Sequence, residues 1–297
     1  MFKLSVIICV YNEGESIIAA LRSLYNNEIY KETEVLIVDD CSTNPITIRA
    51  LRLLAKFTRY KIIYSAINQG LSNSRNLGFE NATTNYVLPL DADDVFPPST
   101  LDIVYETFVN HPEIDFIVGN YYLINVQSGE KLLIDCSTIT TQNQIDISKL
   151  AAEWTLLGTS PCKKTTWESV GGYALKYSYS VQDVDFWIRV LKKGNKGFYL
   201  NRPVYTWYKS ATGMNMTFKN LETTKLMAEH RHFYQLHYSP VFLSNKIFEE
   251  FYPYKKQRFL IPFGRKYFLQ LKNINKLRFM AFFLKSIFTP NYKVHSI

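Results

Sequence analysis

YVLPLDADD, residues 86–94, is an apolar run that ends in a group of carboxylates, and it decides the class of fold. Tyr86 to Leu90 reads as a buried β-strand, with Pro89 tolerated near its end. Carboxylates crowded at the end of a strand repel one another, so each has a raised pKa unless a cation lies among them. Such oxygens suit Mg²⁺ or Mn²⁺, which combine a few protein carboxylates with substrate phosphates. The stretch therefore predicts a metal that carries a phosphate-bearing substrate, and a solvated acidic turn is the alternative.

The residues before this strand alternate between strand and helix patterns. Apolar, β-branched runs predict buried strands at 4–10 and 34–38, and residues 61–64 predict a third, short strand. Helical spacing of apolar residues predicts helices between them, and Asn44-Pro45 is typical of a helix start. This alternation indicates right-handed βαβ units and a mostly parallel sheet. Because such strands end at one edge of the sheet, we expect one site from three loops, at 11–13, 39–42 and 91–94.

Several common nucleotide- and metal-binding signatures are missing from the chain. No G-x-G-x-x-G follows the first strand, and no G-x-x-x-x-G-K-[ST] occurs anywhere, which argues against dinucleotide oxidoreductases and P-loop phosphotransferases. The four cysteines have no C-x-x-C spacing and the five histidines form no H-E-x-x-H. A thiolate or histidine metal centre is therefore not predicted.

Four ordered segments resemble the successive motifs of family 2 glycosyltransferases. They are SVIICVYNE at 5–13, VDDCST at 38–43, NQGLSNSRN at 68–76 and LDADD at 90–94. The resemblance covers about the first two-thirds of the chain. It implies an α/β, Rossmann-like GT-A fold with a mostly parallel sheet and flanking helices. It also implies a nucleotide-sugar donor, with UDP expected, a divalent metal (Mn²⁺ or Mg²⁺), and inversion at the anomeric carbon.

The resemblance assigns donor-binding roles to five residues. Asp40 matches the aspartate that accepts a hydrogen bond from the uracil ring. Cys9 and Tyr11 match positions that line the base pocket, although Cys9 replaces the more usual Thr or Pro. Arg75 matches a basic residue near the nucleotide, and Glu13 belongs to the same donor-binding loop as Tyr11. Ordinary packing and surface charge are the alternatives for Tyr11 and Arg75.

The resemblance also locates the metal and the donor sugar. Asp91 matches the first aspartate of the D-x-D motif, near the ribose and the donor sugar. Asp93 matches the aspartate that coordinates the metal, and Asp91 is the second expected contributor.

A catalytic base is expected in VQDVDFWIRV, residues 181–190. Displacement at the anomeric carbon needs a base that takes the proton of the acceptor hydroxyl. In the family pattern the base is an aspartate that opens a helix, and Asp183 takes that role by position. The helix dipole favours a carboxylate there, and a plain N-cap is the alternative. Asp185 points to a different side of the helix and is the weaker candidate.

Two departures from family patterns concern diphosphate binding and processivity. Members often carry Tyr-Arg-x-His after the next strand, whereas residues 205–209 read YTWYK, so Lys209 is the remaining basic candidate. The Gln-x-x-Arg-Trp pattern of processive synthases is missing after Asp183. The resemblance therefore favours transfer of a single sugar over polymerisation.

The excess positive charge lies in the C-terminal part of the chain. The net charge is +8 overall, but residues 241–297 alone carry +9 and the rest carries −1. Phenylalanine and tyrosine residues alternate with these basic residues, a pattern typical of a helix on an anionic membrane surface. A helical cap with a solvated basic face is the alternative. No apolar run approaches the roughly 18 residues of a membrane span, and no nucleic-acid-binding motif accompanies the charge.

These observations predict a catalytic domain at 1–218, with a nucleotide-sugar-binding half (1–95) and an acceptor-binding half (96–218), and a helical extension at 219–297. The expected acceptor is a lipid-linked or surface glycan. Because the fold begins at the first residues and the cysteines have no pairing spacing, we expect a cytoplasmic enzyme, peripheral on the inner face of the plasma membrane.

Two other functions are weighed against a glycosyltransferase. A nucleotidyltransferase also uses strand-end aspartates, but it is expected to carry a glycine-rich basic loop after the first strand, where this chain has Tyr11-Asn12-Glu13. A catalytically inert nucleotide-sugar-binding scaffold would tend to lose its catalytic carboxylates, whereas Asp91, Asp93 and Asp183 are all present.

Overall fold

The computed structural model of the chain describes residues 2–210, 219–251 and 260–288. The chain divides into two compact units, residues 1–216 and 217–297. The predicted boundary after residue 218 adjoins a stretch, 211–218, that lies outside the described residues. The division of 1–218 into nucleotide and acceptor halves concerns ligands and stays a prediction.

The first part of unit 1 alternates strands and helices as the sequence predicts. Its elements are β1 (Leu4–Val10), α1 (Ser16–Ser23), β2 (Thr33–Asp39), α2 (Pro45–Leu54), β3 (Tyr60–Tyr64), α3 (Leu71–Asn81) and β4 (Tyr86–Asp91). Asn44 caps α2, because its side chain accepts hydrogen bonds from the N–H groups of Ile46 and Thr47. The four strands pair in parallel in the order β3-β2-β1-β4, and every residue of β2 is buried.

Beyond β4 the sheet becomes mixed. The elements are α4 (Thr100–Asn110), β5 (Phe116–Asn125), β6 (Lys131–Ile134), β7 (Thr140–Thr141), β8 (Gln144–Ile145), α5 (Ile147–Ala152), β9 (Cys162–Lys163), α6 (Lys164–Ser169), α7 (Gln182–Lys192) and β10 (Gly197–Lys209). The sheet continues β4-β9-β5-β10-β8-β7, with β6 beside β5. The long strands β5 and β10 pair in parallel, and the antiparallel pairings each involve a strand of two to four residues. The predicted α/β class with flanking helices is confirmed.

Unit 2 is helical in its described residues, as predicted for the extension. Its elements are α8 (Lys219–Glu229), α9 (Arg231–Tyr234), α10 (Pro240–Phe251), α11 (Leu260–Tyr267) and α12 (Asn273–Phe288). Leu226, Leu243 and Phe248 are fully buried and form part of its own apolar core. Of the helices described, none is both long and apolar enough to cross a bilayer.

Candidate active site

The strand ends of the parallel sheet bring the three predicted loops to one edge. Cys9 of β1 lies in register with Val38 of β2 on one side and Asp91 of β4 on the other. Because these neighbouring strands end almost level, the residues that follow them leave the sheet together. The predicted loops at 11–13, 39–42 and 91–94 therefore begin at the same edge of the sheet.

Asn12 joins the first of these loops to the second. Its backbone has φ +61°, in the left-handed region that asparagine tolerates better than most residues. The Asn12 side-chain oxygen accepts hydrogen bonds from the N–H groups of Thr43 and Asn44, both at 2.8 Å, and the Asn12 N–H donates to Ser42 Oγ at 3.0 Å. Sequence reasoning gave Asn12 no role, although asparagine directly after a buried strand was a usable signal.

Asp40 is buried, and both of its carboxylate oxygens accept backbone hydrogen bonds. Oδ1 accepts from the N–H of Gln69 at 2.9 Å and Oδ2 from the N–H of Gly70 at 2.8 Å. These bonds hold the loop before α3 against the end of β2. Gly70 has φ +83°, and a Cβ there would lie 2.7 Å from Ser178 Cβ, so only glycine fits this junction. The predicted uracil contact of Asp40 would use the lone pairs that remain.

Arg75 is buried beneath the site and is only 2% exposed. Its Nη2 donates to Asp91 Oδ1 at 2.9 Å, and its guanidinium lies over the Tyr173 ring, 5.5 Å from the centroid. In the structure Arg75 therefore acts on Asp91, and its predicted proximity to the nucleotide stays a prediction.

Cys9 and Tyr11 border the same edge. Burial raises the pKa of the Cys9 thiol to about 12, so this side chain is a neutral, weakly polar group at physiological pH. Tyr11 is 46% exposed, and its ring is available at the surface of the site. Their predicted contact with the base stays a prediction.

Four carboxyl groups lie near one another at this edge, those of Glu13, Asp91, Asp93 and Asp94. Glu13, Asp93 and Asp94 have raised pKa values. Desolvation and the charges of Asp93 and Asp91 raise the pKa of Glu13 to about 7. Desolvation and Asp91 raise the pKa of Asp93 to about 6, and burial with the charges of Asp91 and Asp93 raises that of Asp94 to about 8. Burial is the largest cause of each shift, and the negative charges of the neighbouring carboxyls add to it.

This group of carboxyls, which we call the carboxylate cluster (Glu13, Asp91, Asp93 and Asp94), fits a cation that shares its ligands with a substrate. Within the described residues, no three His, Cys, Asp or Glu side chains are arranged to hold a metal by themselves. Mg²⁺ and Mn²⁺ are commonly held by one or two carboxylates, with phosphate oxygens and water completing the shell. An anionic diphosphate would be repelled from this edge unless such a cation lay between them.

Asp94 is fixed by the end of β10, a contact that sequence reasoning missed. Tyr205 donates its hydroxyl to Asp94 Oδ2 at 2.8 Å, and the N–H of Tyr208 donates to Oδ1 at 2.7 Å. The Tyr205 hydroxyl also accepts from the N–H of Asp91 at 3.2 Å. The segment that lacks the family's basic residues thus holds Asp94 and the backbone of Asp91 in place. Lys209 lies at the exposed end of the same strand, and its role toward a diphosphate stays a prediction.

Asp183 is the second residue of α7, so the N-cap alternative is wrong. The N-cap position is Val181, whose φ of +40° is strained for a β-branched residue, by about 1–3 kcal/mol. Burial raises the pKa of Asp183, while Arg75 and the N–H groups of Val184 and Asp183 lower it in part. A carboxylate whose pKa is raised is a stronger base than one in water.

Asp185 lies apart from this chemistry. It is buried and bonded to Arg189, with Oδ2 at 2.8 Å from Nε and at 2.7 Å from Nη2. Its charge is therefore neutralised by a residue one turn along the same helix. This geometry favours Asp183 over Asp185 as the base.

Gly158 makes room for the Asp183 side chain. A Cβ at position 158 would lie 2.7 Å from Asp183 Cβ and 2.8 Å from Oδ2, closer than atoms can approach. The segment is held beside α7 by a hydrogen bond from Trp187 Nε1 to the Leu157 carbonyl, 3.0 Å long. Gly158 was missed because nothing in the sequence around it marks a close approach between two distant segments.

Substituting Gly158 by alanine should lower kcat by about ten- to a hundredfold and leave donor affinity near wild type. The added methyl group must displace the Asp183 carboxylate, and small misplacements of a catalytic group cost rates of this order. The measurement is steady-state kinetics with isothermal donor titration.

The control is Gly171→Ala, because a Cβ at Gly171 meets nothing within 4 Å but suffers its φ of +72°. Gly171→Ala should reduce thermal stability and keep kcat. An unchanged kcat in Gly158→Ala would contradict the close approach.

Comparison with known proteins identifies the family. Residues 5–163, more than half of the chain, match Glycosyl transferase family 2. The chain belongs to this family, and the expected GT-A type of α/β fold agrees with that membership.

Curated relatives share this family relationship over part of their length. The chain is 24% identical over 236 residues to a cholesterol galactosyltransferase of Borreliella burgdorferi, which covers 76% of this chain and 65% of the relative. It is 32% identical over 130 residues to the glycosyltransferase GlyA of Streptococcus pneumoniae, which covers 43% of this chain and 18% of that protein. The match thus spans less than two thirds of these relatives.

Solved structures agree on the fold. The crystal structure of S. aureus TarS residues 1–349 in complex with UDP-GlcNAc superposes with a TM-score of 0.69 and 19% identity, covering 98% of this chain and 89% of TarS 1–349. The complex of the same fragment with UDP gives a TM-score of 0.67. At this identity the likeness concerns the fold.

Proposed function

We propose that the chain is an inverting glycosyltransferase that moves one sugar from a UDP-sugar to a hydroxyl of a lipid-linked or surface-glycan acceptor. The observation that carries the proposal is that the charge of Arg75 acts on both the donor side and the expected base. Its guanidinium pairs with Asp91 of the carboxylate cluster, and its charge also acts on Asp183 at the start of α7. The donor-side carboxylates and a base with a raised pKa therefore serve one reaction centre.

Asp183 performs the proton transfer in this mechanism. The acceptor hydroxyl attacks the anomeric carbon on the face opposite the nucleoside diphosphate while Asp183 takes its proton. The bond from the anomeric carbon to the acceptor oxygen forms as the bond to the diphosphate oxygen breaks. A single displacement inverts the anomeric carbon and needs one carboxylate, unlike the pair in a glycosidase.

Asp93, supported by Asp91 and Glu13, is the proposed binding point for a divalent metal. Mn²⁺ or Mg²⁺ bound there would neutralise the charge that develops on the leaving diphosphate. The proximity of Glu13, Asp91 and Asp93 supports this assignment, because their mutual repulsion adds to burial in raising the pKa values of Glu13 and Asp93, and a cation would offset that repulsion. Arg75 holds the Asp91 carboxylate through the hydrogen bond from its Nη2 to Asp91 Oδ1.

The relatives support the donor and acceptor classes. The TarS fragment of similar fold was crystallised with UDP and with UDP-GlcNAc, which supports UDP as the nucleotide. The Borreliella burgdorferi relative is named for a sterol acceptor, which supports an acceptor in or at a membrane. The peripheral position at the cytoplasmic face of the plasma membrane, expected from the sequence, is part of this proposal.

A panel of nucleotide sugars tests this function. Binding of UDP-sugars and their slow hydrolysis, in which water replaces the acceptor, should need Mn²⁺ or Mg²⁺ and stop in EDTA. UMP is the matched control, because it lacks the diphosphate through which a shared metal acts, and its weaker binding should depend little on metal. Binding of UDP-sugars without any hydrolysis or transfer would favour the inert scaffold, and failure to bind any nucleotide sugar would refute the proposal.

A further inference from the structure

Helix α12 and the turn before it expose large apolar side chains. Leu269 is 88% exposed and Leu277 is 68% exposed, and Ile274 and Met280 are also exposed. Ile274, Leu277 and Met280 are spaced three residues apart, so they lie on one side of the helix. We call Leu269, Ile274, Leu277 and Met280 the outer stripe. A solvated helix in a soluble domain normally carries polar side chains at such positions.

The opposite side of α12 is the one that packs within unit 2. Asn275 donates to Asn245 Oδ1 at 2.9 Å and to Glu249 Oε1 at 2.8 Å, which fastens α12 to α10. Phe279 is buried beside Phe248, and a Cβ on Gly264 of α11 would lie 2.3 Å from the Phe279 ring. The side of α12 that carries Asn275 and Phe279 therefore faces the core of unit 2. The outer stripe is a second apolar side of the same helix, and it faces away from that core.

The charge around the outer stripe has one sign. Residues 260–288 contain six basic residues and no acidic ones, and the basic residues are Arg265, Lys266, Lys272, Lys276, Arg278 and Lys285. At about 100° of rotation per residue, Arg278 and Lys276 fall on opposite borders of the stripe. Glu249 of α10 accepts its hydrogen bond from Asn275, which lies on the inner side of α12. An apolar strip bordered by cations matches the surface of an anionic bilayer.

We propose that the outer stripe inserts into an anionic phospholipid membrane and that the bordering basic residues bind the headgroups. This deepens the membrane placement in the proposed function by naming the surface that makes the contact. Apolar side chains at the acyl boundary supply a part of the affinity that salt does not screen, and the cations supply a part that salt weakens. The sequence alone predicted membrane binding for the whole of residues 241–297. It could not distinguish the outer side of α12 from the side that packs within unit 2.

The test is co-sedimentation of the full chain with vesicles of phosphatidylcholine alone or mixed with phosphatidylglycerol. Wild type should bind the mixed vesicles, and added salt should weaken binding without abolishing it. Leu269→Gln with Leu277→Gln should lower the affinity at least about tenfold and remove the salt-resistant part. Lys276→Gln with Arg278→Gln should lower the affinity about tenfold or more at low salt, because each basic residue near such a surface contributes about fivefold.

The matched control is Leu132→Gln with Leu133→Gln, two exposed leucines on β6 of unit 1, which should bind vesicles like wild type. Should the Leu269/Leu277 variant lose its circular-dichroism signal or melt early, the single substitution Leu269→Gln decides, because that side chain has almost no packing to lose. The proposal would be overturned if the stripe variants bound vesicles like wild type, or if wild type showed no preference for anionic vesicles. It would also be overturned if the protein formed a dimer in lipid-free sedimentation and the stripe substitutions dissociated that dimer. Vesicle binding is measured without turnover, so its failure leaves the transferase proposal standing.

Discussion

Asp183→Asn should lower kcat by about 10²-fold or more and leave donor affinity nearly unchanged. Asparagine keeps the shape of the side chain beside Gly158 but cannot accept the proton of the acceptor hydroxyl. Donor binding involves no proton transfer, so its affinity should depend on the carboxylate cluster and not on this residue. The measurement is kcat with a saturating acceptor together with direct titration of the nucleotide sugar.

The pH profile supplies an independent readout of the same residue. Activity needs the ionised carboxylate, so kcat/KM should fall as pH drops through the pKa of Asp183. Burial raises that pKa above the usual value of about 3.9, and the acid limb should therefore lie higher than for an exposed aspartate. In Asp183→Asn this limb should be missing from the residual activity.

The control for Asp183 is Asp185→Asn. Asp185 binds Arg189 through two nitrogens, so its loss should destabilise the fold while the folded fraction keeps its turnover. Near-wild-type kcat in Asp183→Asn combined with an inactive Asp185→Asn would move the base to Asp185.

The sequence predicted the parallel half of the sheet closely because its signals were local. The strands at 4–10, 34–38 and 61–64 are β-branched apolar runs, and each is found as a strand within one or two residues of the predicted bounds. Asn44-Pro45 starts α2 as predicted. Hydrophobic pattern and helix-start chemistry act within a few residues, which is the range that a single sequence can report.

The positioning contacts could not be predicted because they join distant parts of the chain. Three such contacts depend on how distant segments meet after folding. They are the contacts of Gly158 with Asp183, of Asp94 with Tyr205, and of Asp40 with the N–H of Gly70. The short strands β7, β8 and β9 were also beyond prediction, since two residues carry no periodicity. Motif position thus identified the chemical groups, and tertiary packing decides how they are held.

The burial of Arg75 changes how its role is understood. A basic residue placed near a nucleotide by resemblance would be expected to touch phosphate, yet this guanidinium is enclosed and paired with Asp91. Enclosed charge interacts more strongly than surface charge because less water screens it. Arg75 can therefore influence Asp91 and Asp183 together, and it does not by itself make the edge attractive to a diphosphate.

Asp93→Ala should abolish detectable transfer and remove the effect of Mn²⁺ or Mg²⁺ on donor affinity. In our proposal the diphosphate binds beside four carboxylates only through a metal held by Asp93. Loss of that metal should therefore weaken donor binding. It should also leave the charge that develops on the leaving nucleoside diphosphate without a counter-charge. The measurement is donor titration with and without metal, followed by single-turnover transfer.

The stability of the metal-free protein separates this loss of function from unfolding. Asp93 adds to the repulsion that raises the pKa values of Glu13 and Asp94, so its removal should leave the melting temperature unchanged or raise it. Wild type should gain stability on addition of Mn²⁺ with UDP, since a ligand that binds only the folded state stabilises it, and the variant should gain little. Full wild-type activity in EDTA, or a metal response retained by Asp93→Ala, would show that the cluster serves another purpose, because neither result is compatible with a diphosphate bound through Asp93.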